Sequence, residues 1–389
     1  MIRLLPFDYA VRNLGRSWSR LIASVLGSML VVILVIAAAA FVRGMENSLR
    51  VSGDSRNVLL LGAGSEESIE RSEVPMNVPT LLTASIQGIR RKLGVDYVSP
   101  EVHMALVLRM HDRNGDEAQA VLRGVTDTAL LVHSQVKLTE GRFPRNGRNE
   151  IMVGALAATR LDVDAADLAV GQRIWFSDRQ WTISGKFTAP RTVMNAEIWV
   201  PLTDLQIAAR RDSLSCVVAT LDDATIQDVK VWAAQRLDLE LVAMAEYEYY
   251  ADLLLFYRPV RIMVWVTAGL IALGGLFGGL NTMYACFATR VRELGTLQTI
   301  GFSRTAIAIT FLQESLIAAL VGSLLATAIG VFLLDGLAVR FSMGAFSLSV
   351  DERVVLLGLA GGIAVAVVGI IPPLWRCLRL EIPEALRTG

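Results

Sequence analysis

Residues that could carry chemistry are few in this chain, and they form no catalytic pattern. Gly62-Ala63-Gly64-Ser65 lacks the third glycine and the lysine of a phosphate-binding loop, and no GxxxxGK[ST], HExxH or GxSxG occurs. The acidic segment Asp112–Asp116 has its glycine misplaced for an EF-hand loop. The sequence therefore predicts a hairpin turn at Asn114-Gly115 and no catalytic, cofactor or metal site on this chain.

The remaining titratable candidates favour structural roles. His103, His111 and His133 have no ligand-like neighbours in sequence, so we expect structural or solvated histidines. Glu314 is the one formal charge within an apolar run, and intramembrane carboxylates often mark function. It lies only about 12 Å deep at 1.5 Å per residue. A hydrogen-bonded structural carboxylate is therefore favoured over an ion or proton site.

The elements that must position these residues are mostly membrane helices. The chain has 389 residues, of which 53% are hydrophobic and 19% charged, so it is richer in apolar residues than soluble domains are. Four apolar runs are long enough to cross a bilayer. We predict transmembrane helices at 21–42, 259–289, 305–334 and 354–375. Ala37–Ala40 imitates a signal-peptidase site, but the first run is longer than a secretory h-region, which favours a retained helix.

The distribution of charge predicts the orientation. Residues 1–20 carry a net charge of +3, the loop 290–304 carries +2 and the tail 376–389 carries +1, whereas the whole chain is neutral. The positive-inside bias places these three segments in the cytoplasm. The segment 43–258 and the short loop 335–353 are then extracytoplasmic.

The segment 43–258 is typical of a folded domain. Asn114-Gly115 separates two apolar alternating runs, which is a strong hairpin signal. Cys216 is its only cysteine, which excludes an intrachain disulfide there. We predict strands at 58–61, 103–110, 117–125, 151–153, 173–176, 181–187, 196–200 and 216–221, and helices at 155–161 and 223–237. The predicted fold class is an α-helical membrane protein with four transmembrane helices, plus a large extracytoplasmic mixed α/β domain inserted between helices 1 and 2.

Two patterns concern the membrane itself. Arg12, Arg16 and Arg20 form a basic stripe beside Trp18, which predicts an interfacial amphipathic helix over residues 1–20 that contacts lipid headgroups, or ordinary positive-inside flanking sequence. Small residues recur every four positions in the later spans and let helix backbones approach closely. They serve packing within one bundle, subunit dimerisation, or both: Gly274, Gly275, Gly278, Gly279, Ala318, Gly322, Gly358 and Gly362.

The most informative segment is the cytoplasmic loop 290–304. A short helix here would expose Leu294, Leu297 and Ile300 unless a partner covers them. The loop resembles the R-x-[RK]-E-[IL]-G-x-[LM]-[RQ]-x-[IL]-G-x-[ST] stretch of permease subunits in the MacB/FtsX/LolC-E superfamily of bacterial ABC transporters. Further segments carry the resemblance along the chain: Tyr9–Leu14, Leu138–Arg142, Asn149–Gly154, Phe311–Glu314 and Ile382–Arg387. Asn195–Trp199 is similar to the MacB- and DevC-like branch.

The resemblance implies a permease without enzymatic activity of its own. A dimer of cytoplasmic ABC ATPase subunits, which holds ATP and Mg, would bind the loop and drive movements that reach the extracytoplasmic domain, where substrate is exported or extracted. The ATPase-coupling residues would be Arg290, Arg292, Glu293, Leu294, Gly295, Leu297, Ile300 and Gly301.

The same resemblance implies a second permease chain, identical or related, and leaves room for a periplasmic adapter or acceptor protein; no nucleic acid is expected. Two alternatives stay open. One is an FtsX-like regulator that activates a cell-envelope hydrolase without transport, and the other is a membrane-anchored enzyme or sensor.

Overall fold

The computed structural model describes Tyr9 and residues 11–12, 18–110, 117–341 and 344–379. The α-helices are α1 (Trp18–Ser52), α2 (Val78–Ser85), α3 (Ala129–Val132), α4 (Ala157–Leu161), α5 (Leu202–Ala209), α6 (Ile226–Gln235), α7 (Glu246–Phe256), α8 (Arg258–Thr299), α9 (Arg304–Ile329) and α10 (Glu352–Arg379). The strands are β1 (Asn57–Gly62), β2 (Arg91–Lys92), β3 (Val95–Asp96), β4 (Val98–Met110), β5 (Glu117–Val125), β6 (Lys137–Gly141), β7 (Glu150–Gly154), β8 (Arg173–Phe176), β9 (Arg179–Thr188), β10 (Ile198–Pro201), β11 (Cys216–Thr220), β12 (Leu241–Ala245), β13 (Ala338–Phe341) and β14 (Gly344–Ser347).

These elements form two compact units. The described residues of Met1–Arg43, Pro259–Leu337 and Ser349–Gly389 form the membrane bundle, and those of Gly44–Arg258 and Ala338–Leu348 form the extracytoplasmic domain. In the described part of the chain, four helices are long and apolar enough to cross a membrane: Leu21–Ser52, Arg258–Leu280, Arg304–Leu334 and Glu352–Pro372. The predicted fold class is confirmed, with the mixed α/β domain between the first and second spans.

The first span is the centre of the membrane bundle. Val32, Ile36 and Ala40 in α1 are each less than 2% exposed. The small residues of the later spans lie against this helix: a Cβ at Gly358 would lie 2.6 Å from Ile36 Cγ1, and one at Gly330 would lie 2.9 Å from Ile36 Cγ2. Glycine therefore permits the close helix packing that holds a bundle together in lipid.

The predicted small-residue positions fall into two groups. A Cβ at Gly275 would meet Val31 of α1, one at Gly322 would lie 2.7 Å from Val25 O, and Gly362 meets Val32 and Ser323. These positions, with Gly358 and the buried Ala318, face the interior of the bundle. No described atom of the chain lies within 4 Å of a Cβ at the second group: Gly274, Gly278 and Gly279.

The second span continues much further than its apolar run. We expected a transmembrane helix at 259–289 and a separate short helix in a loop 290–304, whereas α8 is one continuous helix of 42 residues. Nothing between residues 280 and 299 breaks a helix, because this stretch has no proline and its Arg, Glu, Leu and Ala residues favour helix. The helix is about 63 Å long at 1.5 Å per residue, roughly twice the 30 Å hydrocarbon core of a bilayer.

The extracytoplasmic domain is built on a ten-stranded mixed sheet. Its strand order is β12-β1-β11-β4-β5-β10-β7-β9-β6, with β8 pairing with β4 and β9. The predicted hairpin is present as the antiparallel pair β4–β5, although its Asn114-Gly115 turn and His111 lie outside the described residues. The 13-residue β4 pairs successively with β11, β5 and β8, so this one strand joins the two halves of the sheet.

The loop 335–353 differs most from expectation. We predicted a short extracytoplasmic loop without naming any strand in it, whereas β13 and β14 pair as an antiparallel hairpin that belongs to the extracytoplasmic domain. The aromatic residues ahead of the second span, Tyr247, Tyr249, Tyr250, Phe256 and Tyr257, are clustered in the sequence as in an interfacial aromatic belt. Tyr249 and Tyr250 on α7 are 6% and 8% exposed inside the domain, so they are not part of an interfacial aromatic belt.

Candidate functional site

The predicted ATPase-coupling residues lie at the carboxyl end of α8 and in the turn that follows it. Glu293 is exposed, Gly295 is buried, and Ile300 is 65% exposed. The backbone of Arg290, Arg292 and Leu294 is helical, but their side chains lie outside the described residues. The segment Glu293–Ile300, which comprises the last turns of α8 and the first residue after it, is hereafter called the coupling surface. Its one large exposed apolar side chain among the described residues is Ile300.

The end of this helix is stabilised by its own sequence. Gly301 has φ of +101°, its amide donates to Gln298 O at 3.1 Å, and the amide of Phe302 donates to Leu297 O at 3.1 Å. This pair of bonds is a Schellman motif, and Phe302 and Leu297 occupy the two positions that are commonly apolar in it. Leu297 also packs against the cluster that contains Phe311. Leu297 therefore has a structural role at the helix end, which the sequence did not show. Ile300 is exposed and has no part in that packing.

The other predicted membrane residues are only partly described. Arg12 is exposed and helical, and Trp18 is 70% exposed at the start of α1. Arg16 and the side chain of Arg20 lie outside the described residues, so the interfacial helix stays a prediction. Glu314 is 6% exposed within the bundle, as expected for a carboxylate that faces protein and not lipid.

A buried ion cluster lies inside the extracytoplasmic domain. It consists of Glu101 and His103 on β4, Arg123 on β5, His133 after α3 and Glu197 before β10, each less than a tenth exposed. The Arg123 guanidinium donates Nε and Nη2 to the two oxygens of Glu197 at 2.7 Å each, and Nη1 to Glu101 Oε2 at 2.8 Å. Glu101 Oε1 is 2.7 Å from His133 Nε2, and Oε2 is 3.1 Å from His103 Nε2. One arginine thus holds two buried carboxylates.

The sheet register brings these side chains together. His103 is opposite Arg123 in the β4–β5 pair, and Trp199 is opposite Arg123 in the β5–β10 pair. Because side chains alternate along a strand, Glu101 lies on the same face as His103, and Glu197 on the same face as Trp199. The indole Nε1 of Trp199 donates to Glu197 Oε2 at 2.9 Å, and the guanidinium lies 5.7 Å from the indole ring.

Burial and charge act against each other on the pKa values of the cluster. Burial alone would raise the pKa of Glu101, but the charges of His133 and Arg123 outweigh it and hold this pKa well below 4.5. Burial is likewise outweighed by Arg123 at Glu197, whose pKa is lowered. At His133 burial is outweighed by Glu101, so its pKa is raised above 6.5. Burial, together with Arg123, lowers the pKa of His103. The raised pKa of His133 favours its charged form, which together with Arg123 offsets the charge of the two carboxylates.

The cluster also reaches the two segments that lead to the first and second spans. Glu246, the first residue of α7, lies with Oε1 3.8 Å from His133 Nδ1. Its Oε2 accepts hydrogen bonds from the amide of Asp54, just after α1, and from Asn57 Nδ2, both at 2.9 Å. The chain leaving α1 and the helix that precedes α8 are thus joined to the core of the domain at one carboxylate.

One set of side chains in the described part of the chain has the donor types of a metal site. Ligand atoms of Glu101, His103 and Cys216 lie within 4.8 Å of one another. The residues do not fit a cation, however. The oxygens of Glu101 already interact with Ser99 Oγ, His133, His103 and Arg123, and the guanidinium would repel a metal ion. Burial also raises the pKa of Cys216 well above 9.0, which favours the protonated thiol. The arrangement is an ion cluster that orders the sheet.

Sequence reasoning missed this cluster. We expected the histidines to be structural or solvated, and His103 and His133 are indeed structural, but their carboxylate partners were not identified. A usable signal was present: Glu101 and His103, two titratable residues at a spacing of two, lie within the apolar strand β4, and the acidic Glu197 directly precedes the apolar strand β10. Which strands pair is not encoded in that local pattern.

Comparison with known proteins gives matches along the whole chain. The family model described as MacB-like periplasmic core domain matches residues 21–235, and that described as FtsX-like permease C-terminal matches residues 265–382. The chain is 24% identical over 388 residues to the "Uncharacterized ABC transporter permease YknZ" of Bacillus subtilis (strain 168), and the match covers 95% of each chain.

Two further matches involve proteins named MacB. Identity is 24% over 340 residues with the "Macrolide export ATP-binding/permease protein MacB" of Rhodopseudomonas palustris (strain HaA2), covering 81% of this chain and 50% of that protein. The chain therefore spans half the length of that relative. The crystal structure of the periplasmic region of MacB from Actinobacillus actinomycetemcomitans aligns with a TM-score of 0.39 at 11% identity, covering 52% of this chain and 94% of that one.

Proposed function

Because this chain belongs to the MacB/FtsX superfamily of ABC transporter permeases, we propose that it transmits the movement of a separate cytoplasmic ATPase to its extracytoplasmic domain. This movement exports or extracts a substrate that is handled outside the membrane. The ATPase is a dimer that binds ATP and Mg, and it acts on a pair of permease chains. The termini and the coupling surface are cytoplasmic, in the bacterial inner membrane.

The observation that carries this proposal is the continuity of α8. A single helix from Arg258 to Thr299 has the coupling surface at one end and follows directly on α7 at the other. Because α8 is continuous, force applied near Ile300 is passed along one helix towards α7. A separate coupling helix joined by a loop would absorb part of that movement. The ion cluster supports the same function, because it joins α7 and the exit of α1 to one rigid core.

The absence of an ATP-binding motif supports a partner ATPase. The sequence has no GxxxxGK[ST], and the relative that matches over 95% of both lengths is named a permease. The MacB relative is named both ATP-binding and permease, and this chain matches half of it. We therefore expect the purified chain to bind no ATP, and hydrolysis to require the added ATPase.

A substitution on the coupling surface tests the proposal. Ile300→Asp places a carboxylate where an apolar side chain would enter the ATPase, and we expect binding at least about tenfold weaker, which corresponds to about 1.4 kcal/mol. Leu237→Asp is the matched control, because Leu237 is 84% exposed in the extracytoplasmic domain. Leu297→Ala is less informative, because Leu297 also closes the helix end. Glu293→Lys should weaken binding through the rim of the surface.

The measurement is ATPase binding and ATP hydrolysis by complexes reconstituted in nanodiscs. Normal assembly and hydrolysis with both Ile300→Asp and Glu293→Lys would place the contact elsewhere, in the N-terminal segment or the tail. If nucleotide moves the extracytoplasmic domain but no substrate accumulates inside a deletion strain, the chain is a regulator of a cell-envelope enzyme and not a transporter.

A further inference from the structure

The connection between the third and fourth spans is a structured part of the extracytoplasmic domain. β13 and β14 pair from Ala338↔Ser347 to Phe341↔Gly344. Ala345, Phe346 and Leu348 are 3%, 7% and 7% exposed. A free hairpin of this length would be marginally stable in water, so these buried side chains indicate that it is held by the domain on which it packs.

Three sets of contacts seat this hairpin. The Phe341 ring lies 5.6 Å from Tyr257 in an edge-to-face arrangement, and Arg340 Nη1 lies 3.6 Å from Asp162 Oδ2 after α4. β14 lies against the 3-10 turn Val193–Ala196. The Arg340–Asp162 pair is exposed and contributes little. The aromatic contacts and the burial of β14 therefore supply most of the docking.

The closest approach is to α1. A Cβ at Gly44 would collide with the carbonyl oxygen of Ser347, and it would lie 3.1 Å from Phe346 Cδ2 and 3.2 Å from Leu348 Cα. Two of these neighbours are backbone atoms, which cannot rotate away. Any side chain at this position must displace the hairpin or the helix. Gly44 is therefore required for the close packing of β14 against α1.

The hairpin is joined to the spans by short connections. Three residues separate Leu334 from β13, and four separate β14 from Glu352. Within the membrane bundle, Asp335 Oδ1 accepts from the amide of Val350 at 2.8 Å, and Asp351 pairs with Arg43 at 2.7 Å. Three or four residues span at most about 10–14 Å when fully extended. A displacement of either span therefore pulls on the hairpin.

We propose that the hairpin Ala338–Ser347 is a mechanical link that delivers the movement of the third and fourth spans to the extracytoplasmic domain. It acts on the 3-10 turn Val193–Ala196, which lies beside the ion cluster residue Glu197 in sequence. The proposal rests on the proposed function for the source of the movement, whereas the docking of the hairpin is independent of it. A loop that only connects two spans would need neither buried aromatic residues nor a glycine at its contact with a helix.

The first experiment tests the docking. Hydrogen exchange of residues 338–348 is measured for the full chain in nanodiscs. We expect Gly44→Ala to speed this exchange by about tenfold or more, because local opening exposes the backbone amides of the hairpin. Gly27→Ala is the matched control in the same helix, since no atom of the described residues lies within 4 Å of a Cβ at that position. Equal protection in Gly44→Ala and wild type would overturn the docking.

The second experiment tests the delivery of movement. Four Gly/Ser residues are inserted after Gly336 and, separately, after Gly64, which lies in a loop with open space beside it. The complex with its ATPase is compared with and without ATP and vanadate. The insertion after Gly336 should clearly reduce the nucleotide-dependent change in exchange at residues 190–197, because α8 and the connection to the fourth span stay intact, while the hairpin stays protected and ATP hydrolysis continues. The insertion after Gly64 should retain the change.

The outcomes separate this inference from the proposed function. A wild-type response that survives the insertion after Gly336 would overturn the link and leave the proposed function intact. A wild type without any nucleotide response in the extracytoplasmic domain would overturn both the proposed function and the delivery of movement. The Gly44→Ala result decides the docking in either case.

Discussion

Replacing Arg123 by methionine should destabilise the extracytoplasmic domain severely. The substitution keeps an unbranched side chain of similar length but removes three hydrogen bonds, two to Glu197 at 2.7 Å and one to Glu101 at 2.8 Å. It leaves two carboxylates buried, with side chains 0% and 8% exposed. Leaving buried charges without their partner typically costs about 3–5 kcal/mol. At about 2–4 °C per kcal/mol for a domain of this size, the melting temperature should fall by roughly 6–20 °C.

A matched control lies on the same pair of strands. Arg109 and Glu117 pair across β4 and β5 with Nη2 and Oε1 2.7 Å apart, but their side chains are 41% and 57% exposed. Arg109→Met should therefore cost no more than about 1 kcal/mol. The triple variant Arg123→Met, Glu101→Gln, Glu197→Gln removes the unpaired charges, so it should recover most of the stability that Arg123→Met loses.

The assay is thermal unfolding of the full chain in detergent micelles, followed by near-ultraviolet circular dichroism, to which the buried Trp181 and Trp199 contribute. A shift for Arg123→Met no larger than that for Arg109→Met would refute the reasoning. A triple variant as unstable as the single one would show that packing, and not the unpaired charge, causes the loss of stability.

Three further predictions follow from the same structure. Because the pKa of His133 is raised above 6.5, its contribution to stability is complete below pH 6.5 and is lost as the pH rises through the raised value. His133→Gln should therefore flatten this alkaline decline in melting temperature. The decline at low pH should remain in this variant, because Glu101 and Glu197, whose pKa values are lowered, become protonated there. Gly322→Leu should lower the free energy of unfolding in detergent by at least about 1–3 kcal/mol through packing strain. Gly274→Leu should leave the stability of the monomer unchanged, and equal effects of the two substitutions would contradict the assigned helix faces. In a variant without its three cysteines, Leu93→Cys should react with an impermeant thiol reagent from outside the cell and Ser303→Cys only from inside, and the reverse pattern would end the proposed topology.

The membrane spans were predictable because their signal is local. A run of about 20 apolar residues can be read without knowing what it packs against. The end of the helix that contains the second span was not predictable, because charge marks where a helix leaves the membrane and not where the helix ends. Arg290 and Arg292 predicted a loop, whereas helix propensity carries α8 on to Thr299, where Gly301 closes it.

The ion cluster and the hairpin were not predictable for a different reason. Glu101, Arg123 and Glu197 are 22 and 74 residues apart along the chain, and only the register of β4, β5 and β10 brings them together. The strands β13 and β14 have four residues each, which is too short for a periodic pattern, and their stability comes from the domain surface that they cover. Both features depend on tertiary contacts that no local pattern encodes.

The central claim is that ATP bound on the cytoplasmic side moves the extracytoplasmic domain of this chain. Its most direct test is hydrogen exchange on the complex with its ATPase in nanodiscs, compared between the nucleotide-free and the vanadate-trapped states. We predict changed protection in the hairpin Ala338–Ser347 and in the turn Val193–Ala196, and loss of this change when Ile300→Asp removes the coupling contact. Full nucleotide occupancy of the ATPase with unchanged exchange throughout residues 44–258 would contradict the claim.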